Sequence, residues 1–197
     1  MTRRESACVA ESPGSVTPAP PAWPIRLPDL QVCESAVQVS VLRSWRAGAA
    51  QCDALSRAFA LPWPVQPNTV AGDAPRVLWL APSEWAILDA PAAVVAARVA
   101  QACGAGLWHC ADLTESRVAF EVRGARAGEL LAKGCSLDLH PRAFAPGACA
   151  QTLLAQVPIW IEPRRAPGGA AAWLVHADTS VAAWLRAWFA DAALEYT

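Results

Sequence analysis

The sequence is poor in charged side chains, and its cations are almost all arginine. Charged residues make up 17% of the 197 residues, whereas an average globular protein has roughly 25%. Lys133 is the only lysine, and the formal net charge is −1. A nucleic-acid-binding protein needs a stripe of basic side chains to meet the phosphates, and no such stripe occurs. We therefore expect no nucleic-acid partner.

The sequence also lacks the cysteine patterns of disulfide frameworks and zinc sites. Its seven cysteines are odd in number and scattered, and no CxxC pair occurs. No apolar run approaches the ~18 residues that a membrane-spanning helix needs. The first residues lack the apolar core of a signal peptide. We expect a cytoplasmic protein with reduced thiols and no membrane partner.

What the chain has in excess is apolar surface. Its residues are 54% hydrophobic and include ten tryptophans. This apolar content is higher than one compact domain needs to form its core. Tryptophan fills cores, but it is also enriched in the buried centres of protein interfaces. For the set as a whole we favour a large subunit interface. The interface candidates are Trp23, Trp79, Trp85, Asp138, His140 and Trp188.

The N-terminal part differs in composition from the rest. Residues 1–28 are rich in Pro, Ser and Ala and show no hydrophobic period. The pairs Pro20-Pro21 and Trp23-Pro24 exclude a helix from the second half of this segment. We predict a disordered or extended arm over residues 1–28, able to lie along a partner, and a single domain over residues 29–197.

Short strands and helices alternate over residues 29–197. Valines at alternate positions in Ala36–Leu42 predict a half-buried strand, and two apolar runs around Ala81-Pro82-Ser83 predict a hairpin. The other predicted strands are Leu107–Ala111, Arg117–Arg123, Cys149–Ala155, Pro158–Glu162 and Ala172–His176. Predicted helices are Gly48–Phe59, Pro91–Cys103, Ala125–Lys133 and one from a Thr179/Ser180 cap to Ala192, with a turn at Pro167–Gly169. This order predicts an α+β fold with mostly antiparallel sheet, helices packed on it, and two pseudo-duplicated β-α-β-β-α halves.

The most reactive-looking stretch is Leu130–Pro141, LLAKGCSLDLHP. A nucleophilic Cys135 would need a base, and His140 is near in sequence. However, the predicted helix ends just before Cys135, where the helix dipole raises the pKa of a thiol. We predict instead that Lys133 complements the dipole of its helix, that Gly134 forms a left-handed cap, and that Cys135 packs as a small apolar group.

Other candidate sites are weak. Cys103, His109 and Cys110, with Cys135 or Cys149 as a further ligand, are a possible metal set, but the adjacent His109 and Cys110 point to opposite faces of a strand. The helix start at Gly124–Gly128 could hold an anion, yet it lacks the GxGxxG and GK[ST] patterns of nucleotide-binding loops. The residues alone therefore favour a binding or assembly module over an enzyme.

Several motifs together resemble a known family. They are the turn Asp112–Arg117 (DLTESR), Leu130–Cys135 (LLAKGC), Leu137–Pro141 (LDLHP), Cys149–Leu153 (CAQTL), the hairpin Trp79–Trp85 (WLAPSEW), and Ser180, Trp184 and Leu185 near the end. From about residue 30 to the C-terminus, the chain resembles the gamma subunit of heterotetrameric sarcosine oxidase.

This resemblance implies a complex that oxidises sarcosine to glycine, hydrogen peroxide and a one-carbon unit accepted by tetrahydrofolate. In that family FAD and FMN lie mainly on the beta subunit, NAD and the folate site on the alpha subunit, and zinc on the delta subunit. The gamma subunit has no assigned chemistry. The resemblance thus implies a non-catalytic assembly subunit that binds no cofactor itself and has alpha, beta and delta subunits as partners.

More distantly, the chain looks like the folate-binding domain of the glycine-cleavage aminomethyltransferases. In those proteins an acidic residue near the strand after this helix contacts tetrahydrofolate. In this sequence, apolar residues occupy the position of that acidic residue, and Glu162 is the nearest carboxylate. The alternative is therefore a stand-alone folate-binding protein or one-carbon transferase, with Glu162 or Asp112 for the pterin and Arg117 or Arg123 for the glutamate tail.

Overall fold

A computed structural model describes residues 21–45, 47–165 and 171–197, which form two antiparallel sheets and four α-helices. The strands are β1 Ile25–Leu27, β2 Leu30–Ser35, β3 Val39–Ser44, β4 Val70–Ala71, β5 Arg76–Ala81, β6 Glu84–Leu88, β7 Trp108–Asp112, β8 Arg117–Arg123, β9 Ala150–Leu154, β10 Val157–Arg165 and β11 Ala171–Asp178. The helices are α1 Ala49–Phe59, α2 Ala92–Cys103, α3 Ala127–Ala132 and α4 Ala182–Ala192.

The two sheets are built on one plan. Sheet B has the order β4-β5-β6-β3-β7, and sheet A has the order β1-β2-β8-β11-β10-β9. In sheet B the run β3-α1-β5-β6-α2-β7 is a ferredoxin-like β-α-β-β-α-β unit. In sheet A the run β8-α3-β10-β11-α4 repeats this arrangement, but the fourth strand position is taken by β2, which comes from earlier in the chain. The predicted α+β class and pseudo-duplication are confirmed, and the second half is a permuted copy.

Alternate residues of the strands define four layers. On β5, Val77 packs in the cluster with α1 and α2, while its neighbour Leu78 packs in the cluster between the sheets. On β8, Phe120 packs with α3 and α4, while Ala119 faces the space between the sheets. Side chains alternate across a strand, so the order of layers is helices, sheet B, sheet A, helices.

The last residues of the predicted arm are part of the fold. Strand β1 pairs with β2, and Ile25 is only 1% exposed. The ring of Trp23 meets Phe120 edge to face at 5.9 Å. The prolines flanking β1 exclude a helix, but they are compatible with a short strand at a sheet edge. The boundary at residue 28 therefore falls inside a hairpin, and residues 1–20 of the predicted arm lie outside the described residues.

The predicted elements largely match the observed ones, with differences at their ends. Helix α3 begins at Ala127 rather than Ala125, because Gly124 adopts a φ of 114° and the chain makes a turn there. Helix α4 follows a 3-10 turn, Thr179–Val181, whose start is capped by Asp178, since its Oδ1 accepts a hydrogen bond from the Ser180 N–H at 2.9 Å. The turn predicted at 167–169 lies outside the described residues. None of the described helices has the length and apolar character to cross a membrane.

Candidate functional site

The stretch with the most reactive side chains lines an open groove of about 540 Å³. We call it the Trp184 groove; its lining residues are Ala132, Lys133, Gly134, Cys135, Ser136, Ala155, Gln156, Trp184 and Trp188. The indole of Trp184 is 58% exposed. The groove therefore lies where the end of α3, the β9–β10 turn and one face of α4 meet.

Lys133 and Gly134 have roles different from those predicted. The Lys133 ammonium donates a hydrogen bond to the Ala192 carbonyl and lies 2.8 Å from a Glu195 carboxylate oxygen, so it caps the C-terminus of α4 and not that of its own helix. Gly134 is not among the described residues with positive φ, so it is not a left-handed cap. A Cβ added at Gly134 would lie 2.5 Å from Cζ2 of Trp188. Glycine is needed there because an indole packs directly on its backbone.

Replacing Gly134 by alanine is expected to lower the free energy of unfolding by about 1–3 kcal/mol, because the Trp188 ring must move out of its contact. Urea denaturation of the full chain measures this. Gly128→Ala in the preceding helix is the matched control, since a Cβ there meets the Trp173 ring at an ordinary 3.4 Å. Alanine also suits a helix better than glycine does, so Gly128→Ala should not destabilise. Equal losses in both variants would contradict this role of Gly134.

Cys135 and His140 do not form a nucleophile–base pair. Cys135 is 5% exposed and belongs to the apolar cluster beneath sheet A, as predicted for a small apolar group. His140 is exposed, and its Nδ1 accepts a hydrogen bond from the Arg142 N–H at 3.2 Å. The Asp138 carboxylate accepts from the His140 N–H at 2.9 Å. Asp138 and His140 thus stabilise a turn, and their contact with a partner stays a prediction.

The four folate candidates do not converge on one site. Asp112 is exposed and accepts a hydrogen bond from the Thr114 N–H, which lowers the pKa of its carboxyl. Arg117 stacks on the Trp160 ring at 4.3 Å. Arg123 sits at the other end of β8, about 20 Å from Arg117 at the usual rise of a strand, and donates to Gln31.

Glu162, the fourth candidate, is buried between the sheets at 1% exposure. Its Oε1 lies 3.0 Å from Nη1 of Arg76 on sheet B and 3.3 Å from Nε2 of His176 on β11. The Arg76 Nε also lies 2.8 Å from the Asp89 carboxylate, without the alignment of a hydrogen bond. This buried ion network joins the two halves. Because Glu162 is committed to it, its carboxylate is not presented to a ligand.

Cys149 lies near this network, and its environment raises the pKa of its thiol. The Cys149 thiol is buried and donates to the Trp79 carbonyl oxygen at 3.4 Å. Burial, together with the negative charge of Glu162, raises the pKa of Cys149 from 9.0 to about 12. Desolvation disfavours a thiolate, so this cysteine is no nucleophile.

Alkaline pH should therefore destabilise the chain through Cys149. Above pH 9 the thiol ionises in the unfolded state but keeps its proton in the folded state until about pH 12. The unfolded state then binds fewer protons, so stability falls as pH rises, by about tenfold in the folding constant for each pH unit. Urea denaturation at several pH values between 9 and 10.5 should show a shallower loss for Cys149→Ala than for the unchanged chain. Identical slopes would contradict the prediction.

The metal candidates are not brought together with further ligands. Among the described residues, no group of three or more His, Cys, Asp and Glu side chains is placed to hold a metal ion. His109 is exposed, whereas Cys110 and Cys103 pack against the apolar cluster of α1 and α2.

The tryptophan candidates divide between core and surface. Trp85 is 2% exposed and its Nε1 donates to the Pro64 carbonyl at 2.7 Å, so the structure assigns it to the core rather than to an interface. Trp23, Trp79 and Trp188 are half-buried, and each packs against a core cluster. The most exposed tryptophans of the described residues are Trp45 and Trp184, at 69% and 58%. Trp184 follows the i, i+3, i+4, i+7 apolar period of Val181, Leu185 and Trp188, yet more than half of it is exposed.

The model of the sarcosine oxidase, gamma subunit family matches residues 43–195. The chain belongs to this family. It is 32% identical over 145 residues to sarcosine oxidase subunit gamma of Corynebacterium sp. (strain P-1), a match covering 73% of this chain and 70% of that one. Over 114 residues it is 35% identical to the gamma subunit of Arthrobacter sp., covering 57% and 56% of the two chains. The resemblance seen in the sequence is confirmed.

Solved structures agree with the family and extend the fold. A chain of heterotetrameric sarcosine oxidase from Corynebacterium sp. U-96, in complex with pyrrole 2-carboxylate, superposes with a TM-score of 0.75 at 27% identity, over 85% of each chain. Aminomethyltransferase T of the glycine cleavage system from Bartonella henselae superposes with a TM-score of 0.59 at 14% identity, over 82% of this chain and 45% of that one. The second likeness shows a shared fold alone.

Proposed function

We propose that this chain is the gamma subunit of a heterotetrameric sarcosine oxidase and that it supports assembly, not catalysis. The observation that carries the proposal is the match over 85% of both chains to a subunit of such an oxidase, together with the family match. The side chains with catalytic potential support it further. Cys135 and Cys149 are buried, and Glu162 is held by Arg76 and His176.

In this proposal the partners are the alpha, beta and delta subunits of a cytoplasmic complex. The complex oxidises sarcosine to glycine with flavin, oxygen and tetrahydrofolate. FAD, FMN, NAD, tetrahydrofolate and zinc are bound by the other subunits. Two observations speak against folate binding by this chain: the carboxylate nearest the expected position is inside an ion network, and Arg117 and Arg123 lie at opposite ends of one strand.

Co-expression tests this proposal. The chain, carrying an affinity tag, is produced together with the alpha, beta and delta subunits of a sarcosine oxidase. We expect a stoichiometric complex that releases hydrogen peroxide when sarcosine is added. Expressed alone, the chain should be poorly soluble and aggregate at high concentration, because apolar surface that partners would cover is then exposed. A well-behaved monomer that retains none of the co-expressed chains would overturn the proposal.

A titration with tetrahydrofolate separates the assembly role from the alternative. A stand-alone folate-binding protein or one-carbon transferase should bind tetrahydrofolate in the micromolar range, about −8 kcal/mol. We expect no binding to the purified chain. The variants Arg117→Ala and Arg123→Ala serve as controls, because a genuine folate site would lose affinity in at least one of them.

A further inference from the structure

One end of sheet B has an open edge. Strand β7 is the last strand in the order β4-β5-β6-β3-β7, and within the described residues it pairs only with β3. It contains five residues and no proline. The backbone groups on its outer side therefore have no partner strand among the described residues, and proteins normally cover or blunt such an open edge.

The register shows which backbone groups face outward. The Trp45 N–H donates to the Leu107 carbonyl at 2.9 Å, and the Leu113 N–H donates to the Val39 carbonyl at 2.8 Å. In an antiparallel pair, the N–H and C=O of one residue point to the same side, and the side alternates along the strand. Odd-numbered positions of this segment thus face β3. The outward-facing residues are Trp108, Cys110 and Asp112.

The corresponding edge of sheet A is covered. Strand β7 of sheet B is equivalent to β2 of sheet A, because each occupies the fourth strand position of its ferredoxin-like unit, next to the first strand. Strand β1 pairs antiparallel with β2 through Ile25, Arg26 and Leu27, and the Ile25 side chain is buried. At the other ends, β4 and β9 are the last strands of their sheets among the described residues, and an antiparallel bridge between Thr69 and Ala148 joins the chain just before them. In the part of the chain that the structure describes, sheet B therefore has no strand at the edge where β1 extends sheet A.

An apolar groove of about 630 Å³ borders the same edge. It is lined by Arg43, Ser44, Trp45, Pro82, Ser83, Glu84, Leu107, Trp108 and His109. Leu107 is 73% exposed and Trp45 is 69% exposed. Leu107 immediately precedes β7, so a strand added along β7 would place its end side chains over this groove.

We propose that an extended segment of another subunit of the oxidase pairs with β7 and seats an apolar side chain in the groove of Trp45 and Leu107. This proposal rests on the proposed function. Main-chain hydrogen bonds to the outward groups give the affinity of such strand addition, and the groove gives its specificity. The partner segment takes the place on sheet B that β1 takes on sheet A.

Hydrogen exchange in the assembled complex tests the pairing. The outward amide of Cys110 should exchange about tenfold more slowly in the co-expressed complex than in dilute free chain, because an amide in a strand ladder exchanges only when the ladder opens. Equal exchange in both states would overturn the proposal. If the Cys110 amide is protected in the free chain and the protection rises with chain concentration, a second copy pairs with this edge. If the protection disappears when residues 1–20 are deleted, the chain's own arm pairs with it. Either result would also overturn it.

Two pairs of variants test the same surface by co-purification. Cys110→Pro removes an outward N–H, which an edge strand tolerates, whereas Cys110→Ala removes only the thiol. Leu107→Glu places a charge in the groove, whereas Val94→Glu places one at a 42% exposed site on α2. We expect Cys110→Pro and Leu107→Glu to retain about tenfold less partner, near 1.4 kcal/mol, and the two controls to retain the usual amount.

Circular dichroism of each variant confirms that it is folded. Normal recovery of the partners with folded Cys110→Pro and Leu107→Glu would exclude β7 as the interface. The proposed function is tested separately by the unchanged chain: if it retains no partner, the assembly role fails, whatever the variants do.

Discussion

Replacing Glu162 by alanine is expected to lower the free energy of unfolding by about 3–5 kcal/mol. The carboxylate of Glu162 neutralises Arg76 at 3.0 Å and lies 3.3 Å from His176, and all three side chains are at most 4% exposed. Its removal leaves the Arg76 charge buried between the sheets with only Asp89 beside it. Urea denaturation of the full chain, followed by tryptophan fluorescence, measures the loss.

Two further variants serve as controls for Glu162→Ala. Glu84→Ala removes the partner of Arg43 in a surface ion pair, in which the Arg43 side chain is 72% exposed, so it should cost less than about 1 kcal/mol. The double variant Arg76→Met/Glu162→Leu removes both buried charges and should recover most of the loss, because apolar side chains often replace a buried pair without penalty. A Glu162→Ala chain as stable as Glu84→Ala would show that the network does not hold the halves together.

Replacing Phe120 by alanine should have an effect of similar size, about 3–5 kcal/mol. Phe120 is fully buried on β8, the strand next to the centre of sheet A. Its ring contacts Trp23 at 5.9 Å between centroids and Phe189 of α4 at 5.5 Å. Alanine would leave a cavity that joins the N-terminal hairpin, the sheet and the last helix, and this cavity cannot collapse without moving all three.

Leu153→Ala is the control for Phe120→Ala. Leu153 lies on β9 of the same sheet but is 50% exposed, so its truncation should change the free energy of unfolding by no more than about 0.5 kcal/mol. Thermal unfolding of the two variants beside the unchanged chain compares them directly. Similar melting temperatures for the two would contradict the central position assigned to the Phe120 ring.

The local patterns of the sequence predicted most elements because they depend on neighbours in the chain. Alternating valines marked β3, and Pro91 and Gly104 bounded α2 within a residue. Strand β1 was missed because its three residues between prolines carry no period of their own. Its Ile25 is buried in the same apolar cluster as Phe120, which is far away in sequence.

No local sequence pattern predicts the contacts that define the site. A left-handed Gly134 is the usual interpretation of a glycine after a helix, but the closeness of Trp188 decides its role. The sequence indicated Glu162 only as the carboxylate nearest to the place where the aminomethyltransferases have their folate-binding acidic residue. Its partners Arg76 and His176 come from strands of different sheets, and nothing in the sequence near Glu162 points to either.

The permuted origin of β2 also affects how the chain folds. Cys33 on β2 lies opposite Glu121 on β8, across 88 positions of sequence, and the whole of sheet B is encoded between them. Sheet B can close from contiguous chain, whereas sheet A is complete only when the β1–β2 hairpin has been joined to β8 across a long loop. Such distant pairing slows folding. During synthesis, the apolar β1–β2 hairpin leaves the ribosome well before the strand that covers it, so sheet B should form first and the N-terminal hairpin should dock last.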